Sequence, residues 1–109
     1  MNILKLIFGP FIKNMNQTIP ENCILIDVRS PSEYSTGYIE GSFNIPMGSA
    51  IHDYKNICKN LDAAIVVYCA SGMRSASVRS ALLSNGFSNV INGGGVGSVA
   101  LKTGKRIVR

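Results

Sequence analysis

Short apolar runs recur along the chain, each closed by polar or turn-forming residues. The runs at 24–28, 43–45, 65–69 and 89–91 are rich in Ile, Val and aromatic residues and too short for helices, which predicts strands. The third is apolar from Ile65 to Tyr68, the pattern of a buried strand. Between and after these runs, residues 31–36, about 49–60, 74–85 and 95–103 predict helices. In the third helix Ala76, Val78, Ala81 and Leu82 fall at helical spacing, and Asn85-Gly86 supplies a stop. Strands alternating with helices predict an α/β fold, a parallel sheet flanked by helices on both faces. No internal repeat or low-complexity stretch interrupts the pattern.

Length and composition narrow this further. A chain of 109 residues builds one domain around a modest core, and 46% hydrophobic against 16% charged residues excludes disorder. Residues 3–8 are apolar before Gly9-Pro10 breaks the run. That stretch is too short to span a bilayer and lacks a small-residue cleavage site. Residues 1–16 are therefore expected to be an apolar segment and linker, forming a short helix that docks on a domain at 17–109. Contact with a membrane surface or a partner is the second possibility for this segment.

Cys69 carries the chemistry. It stands where the apolar run stops, and Ala70, Ser71, Gly72 and Met73 are mostly small residues whose backbone can curl tightly before the helix at Arg74. A thiol between a strand's end and a helix's start meets loop N–H groups and the positive helix end. Such surroundings depress a cysteine pKa and create a reactive thiolate. The alternative is a small apolar residue closing a buried strand.

Several segments together resemble the rhodanese family. Residues 24–34, with Asp27-Val28-Arg29 at a strand end before a capped helix, are similar to its first signature, and residues 37–46 to its continuation. Residues 69–75 resemble its active-site loop, and residues 89–94 its last strand and double glycine. Tyr38 stands where the family usually has a histidine, and no tryptophan follows the double glycine; both positions read as packing sites. The resemblance implies a rhodanese-like fold and thiosulfate sulfurtransferase activity. Cys69 is then the nucleophile, residues 70–74 cradle the transferred sulfur, and Arg74 steadies the loop and adds positive charge. The donor would be thiosulfate or a persulfide, and the acceptor cyanide, a thiol or a sulfur-carrier protein. From Cys69 to Arg74 the loop counts six residues, the sulfurtransferase length. Related phosphatases place the arginine one position later, which here is Ser75. A cysteine phosphatase or arsenate reductase is thus the weaker alternative. A rhodanese-like relay or protein-binding module with little thiosulfate activity is the stronger one.

The remaining candidates are secondary. Asp27 is at a strand end on the side where α/β active sites gather; the family resemblance implies that it helps hold the active-site loop, and a structural partnership with Arg29 or nearby backbone is the alternative. Arg29 is also expected to reach Glu33 across the following turn. Ser71 and Ser75 are candidates to donate hydrogen bonds, although a serine in a loop or first helical turn needs no function. Three cysteines without close spacing fit a reducing cytoplasm, with Cys23 and Cys58 as packing residues and Cys58 as a remote candidate for a resolving thiol. One histidine, His52, is expected at the surface near a helix start, and neither a zinc site nor a cofactor is expected. Residues 95–100 match a glycine-rich dinucleotide pattern, but only nine residues follow, too few for the next strand and its acidic ribose ligand. Net charge is +5, with Lys102, Lys105, Arg106 and Arg109 in an expected solvated tail. Such a surface steers anionic donors or acidic carriers. Nothing here resembles a nucleic-acid recognition motif.

Overall fold

Four parallel strands form the centre of the protein, seen in a computed structural model that describes residues 18–109. They are β1 (Ile24–Asp27), β3 (Phe43–Asn44), β4 (Ile65–Cys69) and β5 (Val90–Gly95), in the spatial order β3-β1-β4-β5. The helices are α1 (Pro31–Ser35), α2 (Ile51–Ile57), α3 (Met73–Ser84) and α4 (Val96–Thr103). Strand β2 (Tyr38–Ile39) pairs antiparallel with β6 (Ile107–Val108) as a separate ribbon. The expected docking helix within residues 1–16 lies outside the described residues. Among those described, no helix is long and apolar enough to cross a membrane.

Side chains of successive strand residues point to opposite faces, and the core divides accordingly. Ile26, Val28, Ile65, Val67, Cys69 and Val90 face α2 and α3, where Tyr54, Cys58, Val78, Leu82 and Phe87 complete one apolar layer. Leu25, Val66, Tyr68 and Ile91 face the other way, towards Val99 and Ala100 of α4 and Ile39 of β2. Each fully buried Leu, Ile, Val or Phe in these layers contributes about 1.5–3 kcal/mol relative to exposure. Helices thus cover both faces of a parallel sheet, as the alternating sequence predicted.

Several expectations need correction. The buried positions of α3 are Ser75, Val78 and Leu82, whereas Ala81 is exposed. The predicted second helix is shorter than 49–60, because Cys58 leaves helical geometry at its C-cap. The basic tail is not simply solvated. Ile107 and Val108 add a strand beside Ile39 and Tyr38, and Arg106 pairs with Glu40 at 3.1 Å.

The strand order places the site. From β1 the chain moves to β3 on one side, then returns to β4 on the other, so consecutive connections diverge between β1 and β4. The carboxyl ends of these strands border a crevice, the usual ligand site of open α/β sheets. Cys69 closes β4 and Asp27 closes β1.

Candidate active site

The loop after β4 wraps around its own thiol. Gly72 caps α3 with φ of 97°, a left-handed conformation that glycine adopts without steric penalty. This curl brings the Gly72 N–H to 3.0 Å from Cys69 Sγ, and α3 then places the Ser75 hydroxyl 3.4 Å from the same sulfur. Burial of Cys69 pushes its thiol pKa up. Hydrogen bonds from the Ser75 hydroxyl and from the N–H groups of Ser75, Ser71 and Gly72 outweigh that effect and bring it below the ordinary value. Cys69 itself is fully buried, while Ala70, Ser71 and Met73 stand at the surface of the loop.

Ser75 belongs to a buried polar chain that the sequence did not reveal. Its hydroxyl donates to Asn92 Oδ1 at 2.7 Å, the Asn92 amide nitrogen donates to Gly72 O at 2.9 Å, and Gly94 N–H donates to Asn92 Oδ1 at 3.0 Å. Ser75 and Asn92 are both fully buried. A hydroxyl has one proton, so it cannot donate to the sulfur and to Asn92 at once. With a neutral thiol, Ser75 donates to Asn92 and accepts from sulfur. When the thiol ionises, the hydroxyl can turn to the thiolate, and Gly94 still satisfies the Asn92 oxygen. Asn92 therefore fastens β5 to the loop and supports the donor that follows the sulfur's charge.

The glycine run at 93–95 serves the same closeness. A Cβ at Gly95 would overlap the carbonyl oxygen of Ala70, so only glycine lets the end of β5 lie against the loop. The pairing register shifts between Val67 and Tyr68, where Asn92 and then Gly94 are the partners. This irregularity re-aims the strand beside the loop.

Arg74 is held by a residue far away in sequence. Its Nη1 and Nη2 donate to Oε1 and Oε2 of Glu33 at 2.7 and 2.9 Å, a bidentate pair that is partly exposed. Glu33 is itself fixed, since Ser30 Oγ accepts from Glu33 N–H at 3.3 Å while Glu33 Oε1 accepts from Ser30 N–H at 3.2 Å. This capping box starts α1. The Arg74 guanidinium, and after it the Ser30 backbone, holds the Glu33 carboxyl at about 2. Arg74 is pushed in the opposite direction, first by Glu33 and also by the nearby Cys69 sulfur. The guanidinium thus grips the Glu33 carboxylate while its charge also acts on the sulfur. Beside it lies a cleft of about 170 Å³ lined by Val28, Ser30, Pro31, Pro46, Met47 and Arg74.

Arg29 and Glu33 do not form the expected pair. Arg29, just past the end of β1, folds back on Asp27, with Nη2–Oδ2 of 2.7 Å and two Nε contacts of 3.0 Å. The Arg29 Nη2 also donates to Gly37 O at 2.6 Å. The Asp27 carboxylate is hydrogen-bonded to Arg29 and its backbone N–H, and no such bond joins it to residues 69–74. Tyr38 stacks on Tyr34 with ring centroids 4.2 Å apart, a packing contact. His52 is exposed in the first turn of α2. Cys58 is buried with its thiol donating to Asn60 O at 3.1 Å, and Cys23 is half-buried.

A parallel α/β domain with a thiol gripped by a short loop at its sheet's switch point defines a class of cysteine-dependent proteins. Within that class the chain belongs to the rhodanese-like domain family, whose model matches residues 11–96. It is similar to the thiosulfate sulfurtransferase GlpE of Pseudomonas entomophila, at 36% identity over 68% of each chain. It is also 36% identical, over 67% of its length, to the tRNA sulfurtransferase of Thermoplasma acidophilum, but spans only 14% of that protein. Among solved structures, a rhodanese with anions from E. coli superposes with a TM-score of 0.73 at 26% identity, covering 80% of this chain and 98% of that one.

Proposed function

We propose that the protein is a sulfurtransferase that carries sulfane sulfur on Cys69. The observation that carries this reading is the convergence on one sulfur of the Gly72 N–H, from the six-residue loop, and the Ser75 hydroxyl, from the residue after it. The family and its named thiosulfate sulfurtransferases support it.

The reaction runs in two halves. The Cys69 thiolate attacks the outer sulfur of thiosulfate, the sulfur–sulfur bond of the donor breaks, and sulfite leaves with the electron pair. Cys69 now bears a persulfide whose terminal sulfur is anionic. The backbone N–H groups of Ser71, Gly72 and Ser75, which act on the Cys69 sulfur, would stabilise that anion as they stabilise the thiolate. A thiophilic acceptor then attacks the terminal sulfur. With cyanide, thiocyanate forms and the thiolate returns. Ala70, Ser71, Gly72, Met73 and Arg74 form the cradle, with Ser75 and Asn92 setting its donors. Asp27 and Arg29 support it indirectly by fixing the end of β1. Three free cysteines accord with work in a reducing cytoplasm.

Thiosulfate:cyanide transfer with ping-pong kinetics tests the reading. Transfer should vanish in Cys69→Ser and persist in Cys23→Ser and Cys58→Ser, while aryl phosphate hydrolysis stays at background. Phosphatase turnover dependent on Cys69 would replace sulfur chemistry with phosphoryl chemistry.

A further inference from the structure

We infer that Glu33 is a specificity-determining residue that disfavours small dianionic donors, leaving a mouth suited to donors with an apolar body and lower charge. The inference rests on the sulfurtransferase reading and names the class of donor. Its basis is the division of charge around the cleft beside the loop. Of the six residues that line it, Arg74 alone is ionised, and Val28, Pro31, Pro46 and Met47 present apolar surface. Both terminal nitrogens of Arg74 are already taken by Glu33, at 2.7 and 2.9 Å. The cation that lines this cleft therefore comes neutralised, with a carboxylate beside it.

Thiosulfate has two charges and no apolar surface. On approach it must compete with Glu33 for the guanidinium fork or lie close to an uncompensated carboxylate, and its two charges feel that repulsion twice over. A monoanion with an organic body feels half as much and gains contact with Val28, Pro31, Pro46 and Met47. A second apolar cleft continues past Met47 along Ile51, Tyr54, Val78 and Leu82, offering more surface to such a body. An organic persulfide fits this description. Attack of the Cys69 thiolate on its outer sulfur breaks the donor's S–S bond, expels an organic thiolate and leaves the sulfur on Cys69. The sulfur moves as in the thiosulfate step, but a singly charged donor releases a singly charged thiolate where thiosulfate releases doubly charged sulfite.

Glu33→Gln separates the charge from the scaffold. Glutamine at the third helical position still completes a capping box, so α1 keeps its start while Arg74 is released. Thiosulfate and benzenethiosulfonate serve as the two donors, one a bare dianion and the other a monoanion with an apolar ring. In Glu33→Gln the KM for thiosulfate should fall about fivefold at low ionic strength with kcat little changed, as removal of a nearby exposed charge allows. The KM for benzenethiosulfonate should move by about twofold or less under the same rule. Loss of helix α1 would instead lower kcat for both donors together. Equal changes for both donors, or no change, would overturn the inference while leaving the sulfurtransferase reading intact. If neither donor is turned over, that reading fails, and anion affinity is still measured by protection of Cys69 from iodoacetamide with sulfate. Stronger sulfate protection in Glu33→Gln than in the unmutated protein supports the role of Glu33, and equal protection overturns it.

Discussion

Two arginines in this protein each grip a carboxylate through bidentate hydrogen bonds, and they do opposite work. Arg29 and Asp27 are neighbours on the end of β1, both buried, with Asp27 fully closed to solvent. Arg74 and Glu33 join the loop that follows β4 to α1 across 41 positions of sequence, with about a third of each side chain exposed. The geometry is alike and the surroundings differ. A buried pair has lost its water and cannot part without stranding a charge, so it serves as a fixed brace. A pair at the mouth stays hydrated, can exchange partners at little cost, and so can respond to an incoming anion. Placement relative to solvent, more than bond length, separates scaffold from function here.

Breaking the buried pair should have the largest effect. Arg29→Ala leaves the Asp27 carboxylate unpaired in the interior and should cost about 3–5 kcal/mol of stability, read as a lower urea midpoint. Transfer activity per folded molecule should change little. If the variant is as stable as the parent, the brace is not what holds β1.

Arg74→Ala should show the reverse profile. Stability should move by about 1 kcal/mol or less because the pair is exposed. Turnover with thiosulfate should fall about tenfold, since a charge-assisted donor near the sulfur is lost and Glu33 is left facing the donor. Arg74→Lys keeps the charge but not the planar fork, and should recover only part of the rate. Full recovery by lysine would mean that charge alone matters.

Acid distinguishes the pairs more gently. The Glu33 carboxyl is held at about 2 against an ordinary 4.5, so its folded-state pKa is depressed. Stability from this pair is complete above 4.5 and is lost as pH falls from there towards 2. The melting temperatures of the parent and of Glu33→Gln should therefore converge over that range. A constant gap between them at all pH values would contradict the pairing.

The two pairs also differ in how far the sequence disclosed them. The thiol, its glycine and the following arginine lie within one contiguous strand–loop–helix segment, so local pattern sufficed to nominate the candidate site. Asp27 closes a strand and Arg29 follows two residues later, close enough to pair, yet the turn suggested Glu33 as a rival partner. What decides between them is the burial of Asp27 and the position of the Gly37 carbonyl, and both depend on the folded chain. Glu33 and Arg74 meet only once α1 and the β4–α3 loop share a sheet end. Asn92 was hidden for a further reason. Its link to Gly72 and Ser75 depends on β5 lying beside β4 with a register shift, which no local periodicity encodes. Ser75 reads in the sequence only as one of two serines able to donate hydrogen bonds, since a serine near a helix start is common, and its complete burial is what marks it out. The apolar periodicity of α3 misplaced Ala81 for a related reason, since polar Ser75 occupies the inward stripe with Val78 and Leu82.

The account turns on Cys69 carrying the sulfur, and intact-protein mass spectrometry with peptide mapping after thiosulfate treatment tests this most directly. The expected result is a single addition of about 32 Da, one sulfur atom, mapped to Cys69 and discharged by cyanide. No addition, or an addition mapped to Cys23 or Cys58, would contradict it.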